Sequence, residues 1–181
     1  MSEINNPAQS KLPVCKIGLV SISDRASTGV YEDKGIPTLQ EWLTRAMSSA
    51  YTLETRLIAD NQNEIEKTLL DLVDIQGCHL ILTTGGTGPA LRDVTPEATL
   101  RVADKEMPGF GELFRHVSYQ EIHSSTIQSR AFAGSANYTV IFGLPGSTHA
   151  CQTGWEQTIQ SQLDSRFAPC NFVNLVKRKY G

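Results

Sequence analysis

Residues 78–88 read CHLILTTGGTG, and this stretch decides the fold. Its first seven residues are almost wholly apolar, which is typical of a central strand that is covered on both faces. The strand runs straight into a GGTG turn, where glycine tolerates positive φ and lets a ligand approach the backbone closely. The stretch therefore predicts a buried strand with a potential binding loop at its carboxyl end.

Strands and helices alternate on both sides of this stretch. The other predicted strands cover residues 14–22, 52–58 and 138–144, with a short edge strand in the tail at 171–176. Apolar residues at helical spacing predict helices at 35–48 and 61–76, more helix between 96 and 130, and a further helix after residue 147. Strands separated by helices favour right-handed βαβ crossovers. We therefore predict an α/β fold, a three-layer α/β/α sandwich with a mostly parallel central sheet.

Two of the predicted helices carry recognisable start signals. Asn61 with Glu64 three positions on resembles a capping box, and Gly77 is suited to end that helix. Thr95 before Pro96 offers an N-cap followed by proline at the first helical position. These signals place the first helix start directly after a predicted strand and the second after the loop that follows the glycine turn.

Length and composition limit the classes of protein to consider. With 181 residues, 40% of them hydrophobic and 19% charged, the chain suits one compact domain at 13–181 after a flexible leader at 1–12. Its 16 basic and 19 acidic residues give a charge of −3, which argues against nucleic acid as the main partner. The polar start and the lack of an apolar run of about 18 residues argue against a membrane protein. We therefore expect a cytoplasmic protein.

The four cysteines give no sign of a metal site or a disulfide framework. Cys15, Cys78, Cys151 and Cys170 are spread along the chain without a CxxC pair. We expect reduced, mostly buried thiols.

Small and acidic residues follow each predicted strand at its carboxyl end. They are Ser21, Ser23 and Asp24 after the first strand, Asp60 after the second, Thr84, Gly85, Gly86, Thr87 and Gly88 after the third, and Pro145, Gly146 and Ser147 after the fourth. Ligands of open parallel sheets bind at this edge. We therefore take these residues as candidates for substrate binding.

Asp60 and Asp93 are the candidate catalytic and metal-binding residues. Singly, Asp60 also suits a helix start, Asp93 a turn, and the GGTG sequence a plain connection from strand to helix. The glycine turn is not a P-loop, since no GK[ST] follows, and Leu91 stands where a dinucleotide fingerprint needs Gly or Ala. Together, the two acids offer carboxylates for a divalent cation, which a polyphosphate substrate requires.

Two further positions have both a functional and a structural interpretation. Ser129 and Arg130 offer a hydroxyl and a guanidinium for a phosphate, although Arg130 equally suits a surface or subunit-interface charge. Ser147 is a natural N-cap, and the N-terminus of its helix also favours an anion.

Three stretches resemble the Mog family, the molybdopterin adenylyltransferases of molybdenum cofactor biosynthesis. They are GLVSISDRASTGVYEDKGIPTLQEWL at 18–43, ILTTGGTGPALRDVTPEAT at 81–99 and EMPGFGELFR at 106–115. The second half, from SSTIQSRAFAG at 124–134 through 144–172, is more similar to the related MoaB proteins. The chain is thus identified as a Mog-like protein with a MoaB-like C-terminal half.

The resemblance implies a three-layer α/β sandwich that assembles as a homotrimer. It implies transfer of AMP from ATP to the phosphate of molybdopterin, with release of pyrophosphate and dependence on Mg²⁺. Asp60 and Asp93 match the aspartates that this family requires, while the GGTG loop, Ser129 and residues 145–147 match regions that line the pterin and nucleotide site. It also implies handover of the product to a molybdenum-inserting protein.

Two alternatives accompany this interpretation. The MoaB likeness permits a molybdopterin-binding scaffold or carrier that transfers no AMP. The related CinA-type domains place the same sandwich in the context of nucleotide pyrophosphate hydrolysis. Release of pyrophosphate that depends on molybdopterin separates both from the transferase.

Overall fold

A six-stranded sheet forms the centre of the protein in the computed structural model, which describes residues 14–47, 49–173 and 175. The strands are β1 Cys15–Ile22, β2 Tyr51–Ile58, β3 Leu80–Thr84, β4 Lys105–Glu106, β5 Phe132–Ala136 and β6 Thr139–Leu144. Their order across the sheet is β2-β1-β3-β6-β5-β4. The first four strands in this order are parallel, and β5 and β4 continue the sheet in antiparallel pairing.

In the described part of the chain, the strands are connected or covered by α-helices. They are α1 Asp24–Ser27, α2 Gly35–Ala46, α3 Gln62–Leu70, α4 Thr95–Val102, α5 Pro108–Ile122 and α6 Thr148–Gly154. Irregular turns extend three of them, namely Asp71–Ile75 after α3, His123–Gln128 after α5, and Trp155–Ile159 with Gln160–Leu163 after α6. Within the described ranges, no helix has the length and apolar character needed to cross a membrane.

Alternating strand residues divide the core into two layers, one on each face of the sheet. In β1, Leu19 packs on one side and Val20 on the other. The first side is covered by buried residues of α2, of α5 and of α6 and its extension, namely Leu39, Trp42, Leu43, Phe114, Cys151 and Trp155. The second side is covered by residues of α3 and its extension and of α4, namely Ile65, Leu69, Leu72, Val73 and Ala98. The predicted three-layer sandwich with a mostly parallel sheet is therefore confirmed.

The strand order reverses direction between β1 and β3. The chain leaves β1 through α2 to β2 on one side, and returns through α3 to β3 on the other. Such a switch point opens a crevice outside the carboxyl ends of the two strands, where open α/β proteins bind ligands.

The four main strands were predicted to within two residues of their observed ends. Several caps are also as predicted, since the side chains of Asn61 and Ser147 accept hydrogen bonds from the backbone N–H groups three residues on. Thr95 was wrongly predicted as an N-cap. It is the first residue of α4, and its hydroxyl donates to the carbonyl of Gly85, 3.0 Å away, instead of capping the helix.

The predicted edge strand at 171–176 is wrong for the residues described there, 171–173 and 175. The N–H of Leu175 bonds to the carbonyl of Phe172, which makes a turn, and the Phe172 ring packs edge-on against Phe142 at 5.7 Å. The segment covers the core beside α6 because its aromatic side chain is better buried there than at a sheet edge. The predicted leader at 1–12 lies outside the described residues.

The region between α4 and β6 contains two strands that the sequence analysis did not assign. β4 interrupts the helix expected from residue 96 onward, and β5 pairs with β6 through a tight turn in which Asn137 and Tyr138 both have positive φ. All four cysteines are free thiols, as expected, but only Cys78 and Cys151 are buried.

Gly143 in β6 is a sensitive point of the core, because a Cβ atom there would lie 2.1 Å from the ring of Phe132 on the neighbouring strand. Gly143→Ala should therefore lower the free energy of unfolding by roughly 1–3 kcal/mol, the usual cost of overpacking. Gly109→Ala is the matched control, since nothing lies within 4 Å of its Cβ position in α5. Urea denaturation of both variants measures the effect, and equal stabilities would contradict this account.

Candidate active site

A cavity of about 460 Å³ opens at the carboxyl ends of β1, β3 and β6. The loops that follow the strands form one wall, contributing Ser23, Asp24, Arg25, Asp60, Gly85, Gly86, Thr87, Gly88, Arg92, Asp93, Pro145, Gly146 and Ser147. Helix α5 and the turn after it form the opposite wall, with Phe114, Ser118, Ile122, Ser125, Thr126, Gln128 and Ser129. The cavity thus lies at the switch point of the sheet.

The glycine turn after β3 fits only glycine at its first two positions. Gly85 has φ of +106°, and a Cβ atom there would lie 2.1 Å from the carbonyl oxygen of Ile22. Its N–H donates to the carbonyl of Leu144 at 3.1 Å, which joins the ends of β3 and β6. Gly86 has φ of +63°, and a Cβ atom there would lie 2.1 Å from Oγ1 of Thr95. The turn is therefore held between β1, β6 and α4.

The next N–H groups of the turn are available to a ligand. Those of Gly86, Thr87 and Gly88 donate to no protein acceptor within the described part of the chain, and all three residues line the cavity. Successive backbone N–H groups without side chains in the way form a favourable site for phosphate oxygens. The carbonyl of Thr87, in contrast, accepts the N–H of Arg130 at 2.9 Å, which fixes the turn to the opposite wall.

Asp60 lies where three acidic side chains come close. Its backbone N–H donates to Oδ1 of Asp24 at 2.9 Å, and its own Oδ1 accepts the N–H of Val94 at 3.3 Å. Burial raises the pKa of the Asp60 carboxyl, and the negative charges of Asp93 and Asp24 raise it further. The hydrogen bond from the N–H of Val94 and the positive charge of Arg92 lower this pKa and so partly offset the rise.

Asp93 both stabilises its own turn and lines the cavity. Its Oδ2 accepts the N–H of Ala90 at 3.0 Å, so the carboxylate does stabilise its own turn. The same side chain lines the cavity, and a Cβ atom on Gly88 would lie 2.6 Å from that oxygen. The absence of a side chain at Gly88 therefore leaves room for the carboxylate.

Three serines on the cavity wall have the same hydrogen-bonding pattern. The hydroxyl oxygens of Ser23, Ser129 and Ser147 each accept a backbone N–H at 3.2–3.3 Å. Each oxygen is thereby fixed in place while its hydroxyl hydrogen remains to be donated. The serines are suited to bind anionic oxygens.

Two of the predicted site residues do not reach the cavity wall. Ser21 is the last buried polar residue of its strand, and its hydroxyl donates to Oδ1 of Asp33 at 2.6 Å. Thr84 donates its hydroxyl to the carbonyl of Pro145 at 2.9 Å. Both support neighbouring loops within the fold, while the other predicted residues line the cavity.

The sequence analysis missed Arg25, Arg92 and the whole wall formed by α5. Phe114, Ser118 and Ile122 follow one another at four-residue steps, so a helix assigned at these bounds would have shown that they share one face. Arg25 and Arg92 each stand next to a predicted aspartate, which was the available signal.

The acidic side chains form only a partial metal site. Among the residues that the structure describes, no group of three or more His, Cys, Asp or Glu side chains could hold a metal ion unaided. Asp60 and Asp93 nevertheless line one cavity, and their repulsion raises the pKa of Asp60. A cation would relieve that repulsion, and Mg²⁺ typically uses one or two carboxylates together with substrate phosphates and water. The residues therefore fit Mg²⁺ that arrives with a polyphosphate.

Comparison with known proteins gives the chain its family. Residues 18–165 match the family described as "Probable molybdopterin binding domain". The chain is 60% identical to Escherichia coli K12 molybdopterin adenylyltransferase over 131 residues, covering 72% of this chain and 67% of that protein. It is 40% identical to E. coli K12 molybdenum cofactor biosynthesis protein B over 163 residues, covering 90% and 94%.

The fold comparison agrees with the sequence comparison. A crystal structure of molybdenum cofactor biosynthesis protein B superposes with a TM-score of 0.78 at 31% identity, covering 93% of this chain and 97% of that one. The likeness thus includes both the Mog-like and the MoaB-like parts that the sequence analysis distinguished. The chain belongs to the molybdopterin-binding-domain family that contains the Mog and MoaB proteins of molybdenum cofactor biosynthesis.

Proposed function

We propose that this chain is a molybdopterin adenylyltransferase of molybdenum cofactor biosynthesis. The observation that carries the proposal is the cavity itself, in which the unbonded N–H groups of Gly86, Thr87 and Gly88 line the same space as Asp60 and Asp93. Backbone donors for phosphate beside a pair of acids suit the transfer of a nucleotidyl group. The 60% identity to a molybdopterin adenylyltransferase supports the same conclusion.

In this reaction the phosphate of molybdopterin attacks the α-phosphorus of ATP. A bond forms between a molybdopterin phosphate oxygen and that phosphorus, the bond to the oxygen that bridges the α- and β-phosphorus atoms breaks, and pyrophosphate leaves with the electron pair. The nucleophile is already ionised near neutral pH, so the chain need not supply a strong base. The task of the protein is to align the two substrates and to stabilise charge.

The residues of the cavity suit these tasks. The N–H groups of the glycine turn and the hydroxyls of Ser23 and Ser147 are placed to bind phosphate oxygens and to orient the substrates. Asp60 and Asp93 would hold Mg²⁺ with ATP. When bound, this ion would neutralise negative charge on the triphosphate and on the departing pyrophosphate.

We also propose a setting for the reaction, chiefly on the family resemblance. The chain would act in the cytoplasm as a homotrimer and pass its adenylylated product to a molybdenum-inserting protein. Exposed apolar residues on α5 and the turn after it, namely Leu113, Tyr119, Ile122 and Ile127, are suited to a subunit contact.

One observation favours a second function. The alignment with molybdenum cofactor biosynthesis protein B is longer than that with the adenylyltransferase, 163 residues against 131. A molybdopterin-binding carrier without transferase activity is the corresponding alternative. It would use the same cavity but leave ATP intact.

Incubation of the purified protein with ATP, Mg²⁺ and molybdopterin should release pyrophosphate and form adenylylated molybdopterin in equal amounts. Both products can be followed, one by a coupled assay and the other by mass spectrometry. Binding of molybdopterin without pyrophosphate release would favour the carrier. Pyrophosphate release without molybdopterin would favour a nucleotide pyrophosphate hydrolase.

Asp60→Asn and Asp93→Asn should each lower kcat by about 100-fold or more, because each removes a charge that acts on the triphosphate while keeping the size of the side chain. Steady-state kinetics at saturating substrates measure the effect. Glu112→Gln is the control, since Glu112 is an exposed carboxylate of α5 outside the cavity. Full turnover in either aspartate variant would refute the role given to that residue.

Asp60 should make the folded protein less stable as the pH rises. Its raised pKa means that the folded state favours the protonated carboxyl, so the stability it contributes at low pH is lost as the pH rises through the folded pKa. Without Mg²⁺, Asp60→Asn should therefore gain stability relative to the wild type between about pH 3 and pH 7. Urea denaturation at several pH values measures this difference.

Asp164 provides a control of opposite sign. Hydrogen bonds from the Arg166 side chain lower the pKa of this exposed carboxyl to about 2. The contribution of Asp164 thus develops between about pH 2 and the ordinary carboxyl pKa of about 4 and is constant above it, so Asp164→Asn should lose stability relative to the wild type as the pH rises through that interval. If Asp60→Asn instead lost stability relative to the wild type as the pH rises, the raised pKa assigned to Asp60 would be contradicted.

A further inference from the structure

Arg130 contacts both ends of the exposed loop that carries Asp93. Its Nε donates to the carbonyl of Gly88 at 2.9 Å, and its Nη2 donates to the carbonyl of Asp93. Its Nη1 bonds to the carboxylate of Glu97 in the first turn of α4. All three guanidinium nitrogens therefore have protein acceptors.

The loop between these two contacts has few other supports. Residues 89–92 are exposed, and inside the loop Ala90 and Asp93 bond only to each other, through Oδ2 of Asp93 at 3.0 Å and the carbonyl of Ala90 at 2.9 Å. After this turn, the N–H of Val94 donates to Oδ1 of Asp60, which connects the end of the loop to the segment after β2. The N–H of Thr95 also joins the two ends of the loop, by donating to the carbonyl of Gly86 at 3.1 Å. Arg130 adds one planar side chain from outside the loop whose donors, at fixed angles, bond to the carbonyls of both Gly88 and Asp93.

Arg130 is itself held from the other side. Its N–H donates to the carbonyl of Thr87 at 2.9 Å, and Nη1 of Arg115 on α5 lies 3.5 and 3.4 Å from the carbonyls of Ser129 and Ala131, on either side of it. The segment that bears Arg130 is therefore fixed to the α5 wall of the cavity. Through Arg130, this wall is connected to the loop of Asp93.

We infer that Arg130 is a positioning residue, which holds the Asp93 carboxylate at the cavity by bridging the carbonyls of Gly88 and Asp93. It differs in this from Arg92, which lines the cavity and has no hydrogen bond or salt bridge to any described residue. Arg130 does not line the cavity, so the phosphate-binding role that its sequence position suggested is assigned to other groups. The effect of Arg130 on turnover rests on the adenylyl transfer proposed above.

Arg130→Lys and Arg130→Gln test the bridge. Lysine keeps the charge but offers one compact ammonium, which cannot reach three acceptors in the geometry of the guanidinium. Both variants should therefore lower kcat by about tenfold or more while KM for ATP changes less than about twofold, because a misplaced catalytic group slows the reaction without removing a substrate contact. Amide hydrogen exchange of residues 86–95, measured by mass spectrometry on the full chain, should become faster in both.

Arg101→Gln is the matched control. Arg101 is an exposed residue in the last turn of α4, and like Arg130 it pairs with a glutamate, in this case Glu66 at 3.3 Å. Within the described part of the chain, it forms no hydrogen bond or salt bridge with residues 86–94. It should change neither kcat nor the exchange of residues 86–95. In the background of Asp93→Asn, Arg130→Lys should cost little further turnover, since coupled residues are not additive.

Two outcomes would overturn the inference. In the first, Arg130→Gln keeps full kcat but has a raised KM for ATP or molybdopterin, while Arg130→Lys has a normal KM. Such a result would mean that only the charge of residue 130 matters and that Arg130 binds a substrate anion. The second is unchanged hydrogen exchange of the loop in both variants. Since exchange requires no substrate, it tests the bridge even if the wild type proves not to transfer AMP, which keeps this failure distinct from that of the proposed function.

Discussion

The packing of Gly85 against the carbonyl of Ile22 is the contact on which the arrangement of the site depends. No side chain fits between them, and the N–H of Gly85 is bonded to the last residue of β6, Leu144. The ends of β1, β3 and β6 are therefore joined at one point, close to where the strand order reverses between β1 and β3. This close junction leaves the N–H groups that follow it facing the crevice, so the geometry that closes the sheet also creates the anion site.

The same junction brings together charges that oppose one another. Asp24 is the first residue of α1, Asp60 follows β2 and Asp93 lies in the loop after β3, and the fold places all three at a single cavity. Their repulsion and the partial burial of Asp60 act against folding, which is a pattern typical of sites arranged for a ligand. A cation bound between these carboxylates and substrate phosphates, as proposed above, would replace the repulsion with attraction. Under that proposal, the repulsion in the free protein and the affinity for the metal-bound substrate have one origin.

The strands and the edge at which the site lies were predictable, because apolar runs such as 78–84 and their carboxyl ends are local features. Other features depend on pairing. Ser21 and Thr84 are paired in the register of β1 and β3, so their side chains point to a face of the sheet. Of these two chain segments, only the residues that follow the pair reach the cavity. Strand β5, FAGSA, has small residues without a clear apolar alternation, and its pairing with β6 is what makes it a strand.

The two resemblances in the sequence meet within this one cavity. The acids and the glycine turn lie in the first half of the chain, which is Mog-like, while the wall from Ser125 to Ser129 belongs to the MoaB-like part. Arg130 crosses between them, since it lies in the second part and bonds to Thr87, Gly88 and Asp93 of the first. In the proposed reaction, Arg130 of the MoaB-like part thus holds the carboxylate that the Mog-like part supplies. Under that proposal the two parts are joined by a contact that the chemistry needs, and the MoaB-like part does more than cover the substrate.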